Sequence, residues 1–138
     1  MFSILKELKI NQSLISLLKV DVDGFDWDVI RSSFEVIKHC PYIYFECEYQ
    51  DNKQLKSYKD IFKELKIIGY SEFAFFDNFG QFILSTIDLT EIFKLLDYVK
   101  RQNHTLSSRT IFYYDVLAYT NDYKKECDLL ISVYVFQK

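Results

Sequence analysis

Residues that break or bend a backbone are scarce: the chain has three glycines (Gly24, Gly69 and Gly80) and one proline (Pro41) among 138 residues. That scarcity argues against a low-complexity or linker-rich chain, and no Gly-rich loop follows an early strand. Long apolar runs are also missing, and none approaches the ~18 residues of a membrane span. Met1 to Lys9 alternates apolar residues with lysines and has no small-residue cleavage site, so a signal peptide is not expected. No one sign of charge dominates. Seventeen Lys and Arg against 20 Asp and Glu leave a net charge of -3, which excludes the broad basic field of a nucleic-acid surface. Three cysteines (Cys40, Cys47 and Cys127) form no CxxC pair and leave an odd thiol. The expected reading is reduced thiols in a cytoplasmic protein. His39 and His104 have no ligand-spaced Cys or His companion and read as surface residues at helix ends.

Aromatic residues, by contrast, are abundant. Thirteen Phe and 11 Tyr lift the aromatic share to 18%, the composition of a folded chain. The length suits a single domain with one core, though it is short for a complete large α/β enzyme. Phe2 to Leu8 carries apolar residues at helical spacing, and Asn11 to Ser13 breaks it. Ser16 to Val22 (SLLKVDV) has strand length and runs into Asp23-Gly24. The period then changes: Phe25, Val29, Ile30, Phe34 and Ile37 recur as on a helix, with Asp26 and Asp28 in its first turn and Lys38 in its last. Pro41 closes that helix, and Tyr42 to Tyr49 (YIYFECEY) reads as a second strand. Strand, helix and strand in about 35 residues make a βαβ unit with parallel strands, Leu17–Asp23 and Tyr42–Glu48, joined by one right-handed crossover.

Leu55, Tyr58, Phe62 and Leu65 mark a second helix that ends at Gly69. Glu72 to Phe76 and Gln81 to Ser85 flank Asp77-Asn78-Phe79-Gly80 and predict a hairpin. Asp88 with Glu91 is a capping-box pattern for a helix through about Arg101. Thr110 to Tyr119 reads as a further strand. The C-terminus supports two readings, with Asn121 to Leu130 helical and Ile131 to Phe136 alternating like a strand.

Polar residues inside the two βαβ strands are the informative feature. Lys19, Asp21 and Asp23 alternate along the first, and Tyr44, Glu46 and Glu48 along the second. The carboxyl ends of parallel neighbours converge, and ligands of open α/β sheets bind there. Several carboxylates at one crevice need a retained proton, a paired lysine or a divalent cation. Each also has a structural reading. Asp23 can cap the next helix, Lys19 and Asp21 can be an ion pair at a strand edge, and Glu48 can be a solvated strand end. Asp21 and Glu46 are the strongest candidates because both interrupt apolar or aromatic runs, and Asp115 is a weaker one. Trp27 lies off its helix's apolar stripe, where it faces either a partner or ligand, or is simply an exposed ring.

The segment LLKVDVDGFDWDVIRSS (Leu17 to Ser33), a strand running into Asp-x-Asp-Gly and then a helix, resembles the signature of FkbM-type methyltransferases. YIYFECEY, GYSEFAFFDNFGQFILS (Gly69 to Ser85) and IFYYDVLAY (Ile111 to Tyr119) look like later segments of that family in the same order. The resemblance implies an α/β fold, the C-terminal half of a class I methyltransferase Rossmann-like sheet from the fourth strand onward. On that basis the chain, 1–138, is one partial domain with a parallel βαβ unit followed by a mixed, antiparallel hairpin region. It also implies S-adenosylmethionine as cofactor and methyl transfer to a hydroxyl oxygen of a small molecule or glycan. Asp21, Asp23 and Glu46 would be the catalytic residues, acting as base or as ligands of a divalent cation.

The departure from the family is the missing Gly-rich half, which would admit the methionine part of the cofactor. Two function classes follow: a methyltransferase half inactive alone, or a non-enzymatic binding domain derived from that fold. A metal-dependent hydrolase using the same acids is a third. The partners implied are a complementary N-terminal half or a second copy in a homodimer, since the family's first strand would cover the edge of Ser16 to Val22.

Overall fold

The computed structural model describes Glu7, residues 9–105 and residues 111–136. The helix expected over residues 2–8 lies outside them, Glu7 excepted, as does the start of the strand expected from Thr110.

Five strands form one sheet in the spatial order β1-β2-β5-β3-β4, with β1 at one edge. They are β1 (Leu17–Val20), β2 (Tyr42–Cys47), β3 (Tyr70–Asp77), β4 (Phe82–Thr86) and β5 (Tyr114–Thr120). β1 and β2 run parallel, with Leu17 opposite Tyr42 and Val20 opposite Phe45. The expected βαβ unit is present, with two differences. β1 stops at Val20 rather than running to Asp23, because the chain enters a left-handed turn at Asp23 (φ 48) and Gly24 (φ 84). The crossover is also two short helices, α1 (Asp26–Ser32) and α2 (Phe34–Ile37), rather than one. Ser33 divides them. Its hydroxyl donates to the Val29 carbonyl at 2.6 Å, a local side-chain bond that competes with helix continuation.

The hairpin forms as expected. Asp77 holds its turn by accepting the amides of Phe79 and Gln81, each at 2.9 Å, and Gly80 takes φ 73. A register shift falls between Phe75 and Phe76. α3 (Asn52–Ile67) starts at Asp51, whose carboxylate accepts the Gln54 amide at 2.8 Å. α4 (Leu89–Thr105) keeps half of the expected capping box. Asp88 accepts the Thr90 amide at 2.7 Å, but Glu91 turns to the Thr86 hydroxyl. β5 then enters the middle of the sheet, antiparallel to both β2 and β3.

One face of the sheet is aromatic and dry. Phe62 of α3 meets Phe45, Phe73 and Phe75 at centroid distances of 5.8, 5.2 and 5.7 Å, and all four rings are fully buried. Ile30, Ile37, Ile92 and Leu96 complete this core beneath α1, α2 and α4. The Tyr70 hydroxyl ties the α2–β2 connection down by donating to the carbonyls of Ile37 and Cys40. The opposite face is covered over part of its area by α5 (Lys124–Phe136), which is helical throughout. The strand-like alternation of Ile131 to Phe136 gives way because Cys127, Ile131 and Tyr134 also lie at helical spacing. Cys127 and Ile131 pack on Ala74 and Tyr119, and Tyr134 on Phe76.

Candidate functional site

β1 has only four residues, so the parallel ladder with β2 ends at the Val20–Phe45 pair. The Glu46 amide lies just past that last pair. It donates to the carboxylate of Asp26 at 3.1 Å, and the Val22 amide donates to the same carboxylate at 3.3 Å. Asp26 stands in the first turn of α1 and is completely buried. It reaches there because a helical side chain tilts back toward the N-terminus, here toward the strand ends. Burial pushes its carboxyl up from the ordinary Asp range, while the Glu46 and Val22 amides pull it down. Sequence reasoning treated Asp26 only as an acid complementing a helix dipole. The signal was present as an acid two residues after the glycine that follows the strand.

The uncovered part of the sheet's second face carries the other acids. Register places Asp115 of β5 opposite Glu46 of β2, and Lys19 of β1 opposite Tyr44. Glu46 is half-buried, and its carboxyl is pushed up to about 7 by burial first, then by the carboxylates of Glu48, Asp26, Asp115 and Asp21. Burial also raises Asp115, against the pull of the Tyr44 hydroxyl and the Lys19 ammonium. Tyr44 is raised by burial and by Asp115.

Of the three residues expected to act together, the structure brings Glu46 and Asp21 into one electrostatic neighbourhood. Asp21 forms an exposed ion pair with Lys19 at 2.9 Å, which raises the lysine. Asp23 sits exposed on the left-handed turn. It does not cap α1 either, since Phe25 occupies the cap position and makes no side-chain bond. Asp115, the weaker candidate, stands nearer the centre of the group than Asp23 was expected to. Glu48 accepts from the Gln50 side chain at 3.1 Å, close to the solvated strand end anticipated for it.

Compensation of these acids takes several forms. A lysine meets Asp21, two amides meet Asp26, a tyrosine hydroxyl meets Asp115, and the proton affinity of Glu46 rises. Among the described residues, no three His, Cys, Asp or Glu side chains are disposed to hold a metal ion. Trp27 is half-buried rather than an openly exposed ring. Its ring packs against the main core, with the Arg31 guanidinium 5.8 Å from its centroid. Cys40, Cys47 and Cys127 are all free and buried. His39 is exposed, as expected, while the side chain of His104 lies outside the described residues.

Gly24 owes its place to backbone conformation and not to a close approach, because a Cβ there would meet only Glu48 atoms at 3.8 and 3.9 Å.

The family model for the methyltransferase FkbM domain matches residues 3–72, half of the 138-residue chain. The match takes in β1, the Asp21–Asp26 turn, β2 and α3, and ends inside β3. No curated protein and no solved structure matches the chain. No helix among the described residues is long and apolar enough to cross a membrane.

Two measurements test this geometry. Asp26→Ala strands two amides without their acceptor, each worth about 1–3 kcal/mol, so urea denaturation should show a loss of about 2–6 kcal/mol. Unchanged stability would mean that the carboxylate does not hold the strand ends. The second test uses pH. A carboxyl raised in the folded state from an ordinary 4.5 to about 7 favours folding below the lower value, and loses that contribution as pH rises through the upper one. Glu46→Gln removes the penalty, so its melting temperature should gain on wild type between about pH 5 and about pH 8. A constant difference across that window would show that Glu46 titrates normally.

Proposed function

Because this chain belongs to the FkbM methyltransferase family, we propose that it supplies the acceptor-side half of an S-adenosylmethionine-dependent O-methyltransferase. The observation that carries the reading is Glu46, a half-buried carboxyl with a proton affinity near neutrality at the carboxyl end of β2. A general base works best with a pKa close to the operating pH, and a hydroxyl acceptor must lose its proton as the methyl group arrives. Glu46 takes that proton. Asp21 and Asp115 keep it basic by adding negative charge, and Lys19 balances Asp21. Asp26 fixes the backbone from which the Glu46 side chain projects. Asp23, at the turn between β1 and α1, would border the acceptor.

The residues of this chain do not fit the cofactor by themselves, for want of a Gly-rich strand-to-helix turn. In this reading the cofactor is held by an N-terminal half. The edge strand β1 is where that half would join, since among the described residues β1 pairs on one side only and Leu17 is 52% exposed. A second copy can occupy the same edge, which is the arrangement expected of the chain in isolation. The same bare edge also favours a second reading, a non-enzymatic binding domain that retains the fold.

Isothermal titration of the chain with S-adenosylmethionine should give no saturable heat at submillimolar cofactor, whereas micromolar affinity would overturn the division of labour. Joined to a Gly-rich half from a complete member of the family, the chain should methylate a hydroxyl acceptor with a rate that rises through about pH 7. Glu46→Gln should then lower that rate by about a hundredfold or more. An unchanged rate would favour the binding-domain reading. Sedimentation at low micromolar concentration should show a dimer, and a strictly monomeric chain would mean that the β1 edge recruits nothing.

A further inference from the structure

Next to the acids, on the same face of the sheet, is a cavity of about 250 Å³ that proton transfer from an acceptor does not use. Tyr44 of β2, Phe76 of β3, Gly80 of the hairpin turn and Tyr134 of α5 line it. Strand register explains the floor. Asp115 has Glu46 as its neighbour on one side and Phe76 on the other, while Tyr44 lies two residues before Glu46 on the same face. Asp115 therefore stands between the Phe76 ring beside it and the Tyr44 ring diagonal to it, whose hydroxyl it engages.

The wall is Tyr134. Its hydroxyl donates to the Gly80 carbonyl at 2.5 Å, which fixes the ring against the turn. Its plane meets that of Phe76 at 80°, with centroids 6.3 Å apart. Two rings at right angles make a corner, and Tyr44 adds a third aromatic surface to it.

The chemistry of the lining selects a ligand. Aromatic faces carry negative quadrupole potential, and the Asp115 carboxylate interacts with the Tyr44 hydroxyl beside them. An anion would be repelled. A bare metal ion would need a set of oxygen ligands, whereas here the Tyr134 hydroxyl is engaged by the Gly80 carbonyl, the Tyr44 hydroxyl by Asp115, and no three acidic, His or Cys side chains among the described residues converge. A sugar or a flat heterocycle stacks best on one exposed ring face, whereas a right-angled corner suits a rounded head. The volume lies below the ~300–1,000 Å³ of pockets that hold drug-sized ligands, so the fit is to a small group. We propose that this cavity is a binding site for a small alkylated ammonium, whose methyl-rich head sits among Tyr44, Phe76 and Tyr134 with Asp115 as its counter-charge. An alkylated ammonium combines diffuse positive charge with an apolar surface, which is what aromatic corners of this kind recognise. The site requires no S-adenosylmethionine and no second half, so it stands apart from methyl transfer.

The test is titration of the chain with choline, followed by amide chemical shifts, beside its neutral carbon isostere dimethylbutanol. Choline should bind saturably at millimolar concentration or below, with shifts centred on Tyr44, Phe76, Gly80 and Tyr134. The isostere should bind about tenfold more weakly, because it has the shape without the charge. Tyr134→Leu removes a wall residue that is 39% exposed, so it should fold normally by circular dichroism and weaken choline at least about tenfold. Asp115→Asn should weaken choline and leave the isostere unaffected. The absence of saturable shifts with choline, equal affinity for the isostere, or full binding by folded Tyr134→Leu would each overturn the proposal.

Discussion

One buried carboxylate decides how this chain is put together at its first crossover. Asp26 receives the amides of Val22 and Glu46, and so joins the second residue after β1 to the residue where β2 loses its parallel partner. Burying an ionised carboxylate is expensive unless donors meet it, and charge-assisted bonds to amides are the strong kind. The bond sets the entry angle of α1, because Asp26 must lie at its first turn to reach back. It also accounts for the left-handed pair Asp23 and Gly24, which turns the chain sharply enough to place Asp26 under the strand ends. A β-carbon at Gly24 would find room, but its φ of 84° is one that L side chains rarely adopt.

The two faces of the sheet follow different rules. On one, Phe62 and its ring neighbours exclude water, and ion pairs between helices, Arg31 with Glu64 and Lys59 with Asp97, lie at the margin of that core. On the other, α5 is held largely by polar contacts. Lys124 bonds Glu72 at 2.9 Å and Asp128 at 3.1 Å, Asp128 accepts the Tyr119 hydroxyl, and Ser85 links Tyr119 back to Glu72. The ring of contacts is closed. Burial alone would lower Lys124, but Glu72 and Asp128 hold it up. Such a network holds its helix in one register, which a small apolar contact around Cys127 would specify poorly. Where no helix among the described residues covers this face, Lys19, Tyr44, Glu46 and Asp115 share a surface with Phe76 and Tyr134.

The parallel βαβ unit and the hairpin were legible because each rests on a strong local signal. For the first it was the change of period after Gly24, and for the second the turn chemistry of Asp77 to Gly80. The misreadings share a different cause. Val22 looks like a strand residue by type, yet β1 ends before it because the tertiary bond to Asp26 captures its amide. Phe25 to Lys38 has one helical stripe, yet Ser33 divides it by bonding to the Val29 carbonyl. Ile131 to Phe136 fits both periods, and only the position of Ala74 and Tyr119 beneath the segment decides for the helix. Asp115 gained weight for a similar reason. Nothing local says that the last strand inserts between β2 and β3, and that insertion puts Asp115 opposite Glu46.

The clamp and the proposed base are therefore not independent. An ionised Asp26 accepts both amides, and its charge is also one of the groups that lift the Glu46 carboxyl toward neutrality. A protonated Asp26 would surrender an acceptor site, loosen one strand end and relieve Glu46 of part of its repulsion. The interaction that shapes the crossover thus also tunes the acid beside it, because the same backbone atoms belong to both. Glu46 gives its amide to Asp26 on the strand edge and projects its side chain to the open face. Family members that keep the Asp-x-Asp-Gly turn but lose the acid two residues after its glycine would need another acceptor for that amide. Without one, the proton affinity of the β2 carboxylate would fall toward the ordinary Glu range.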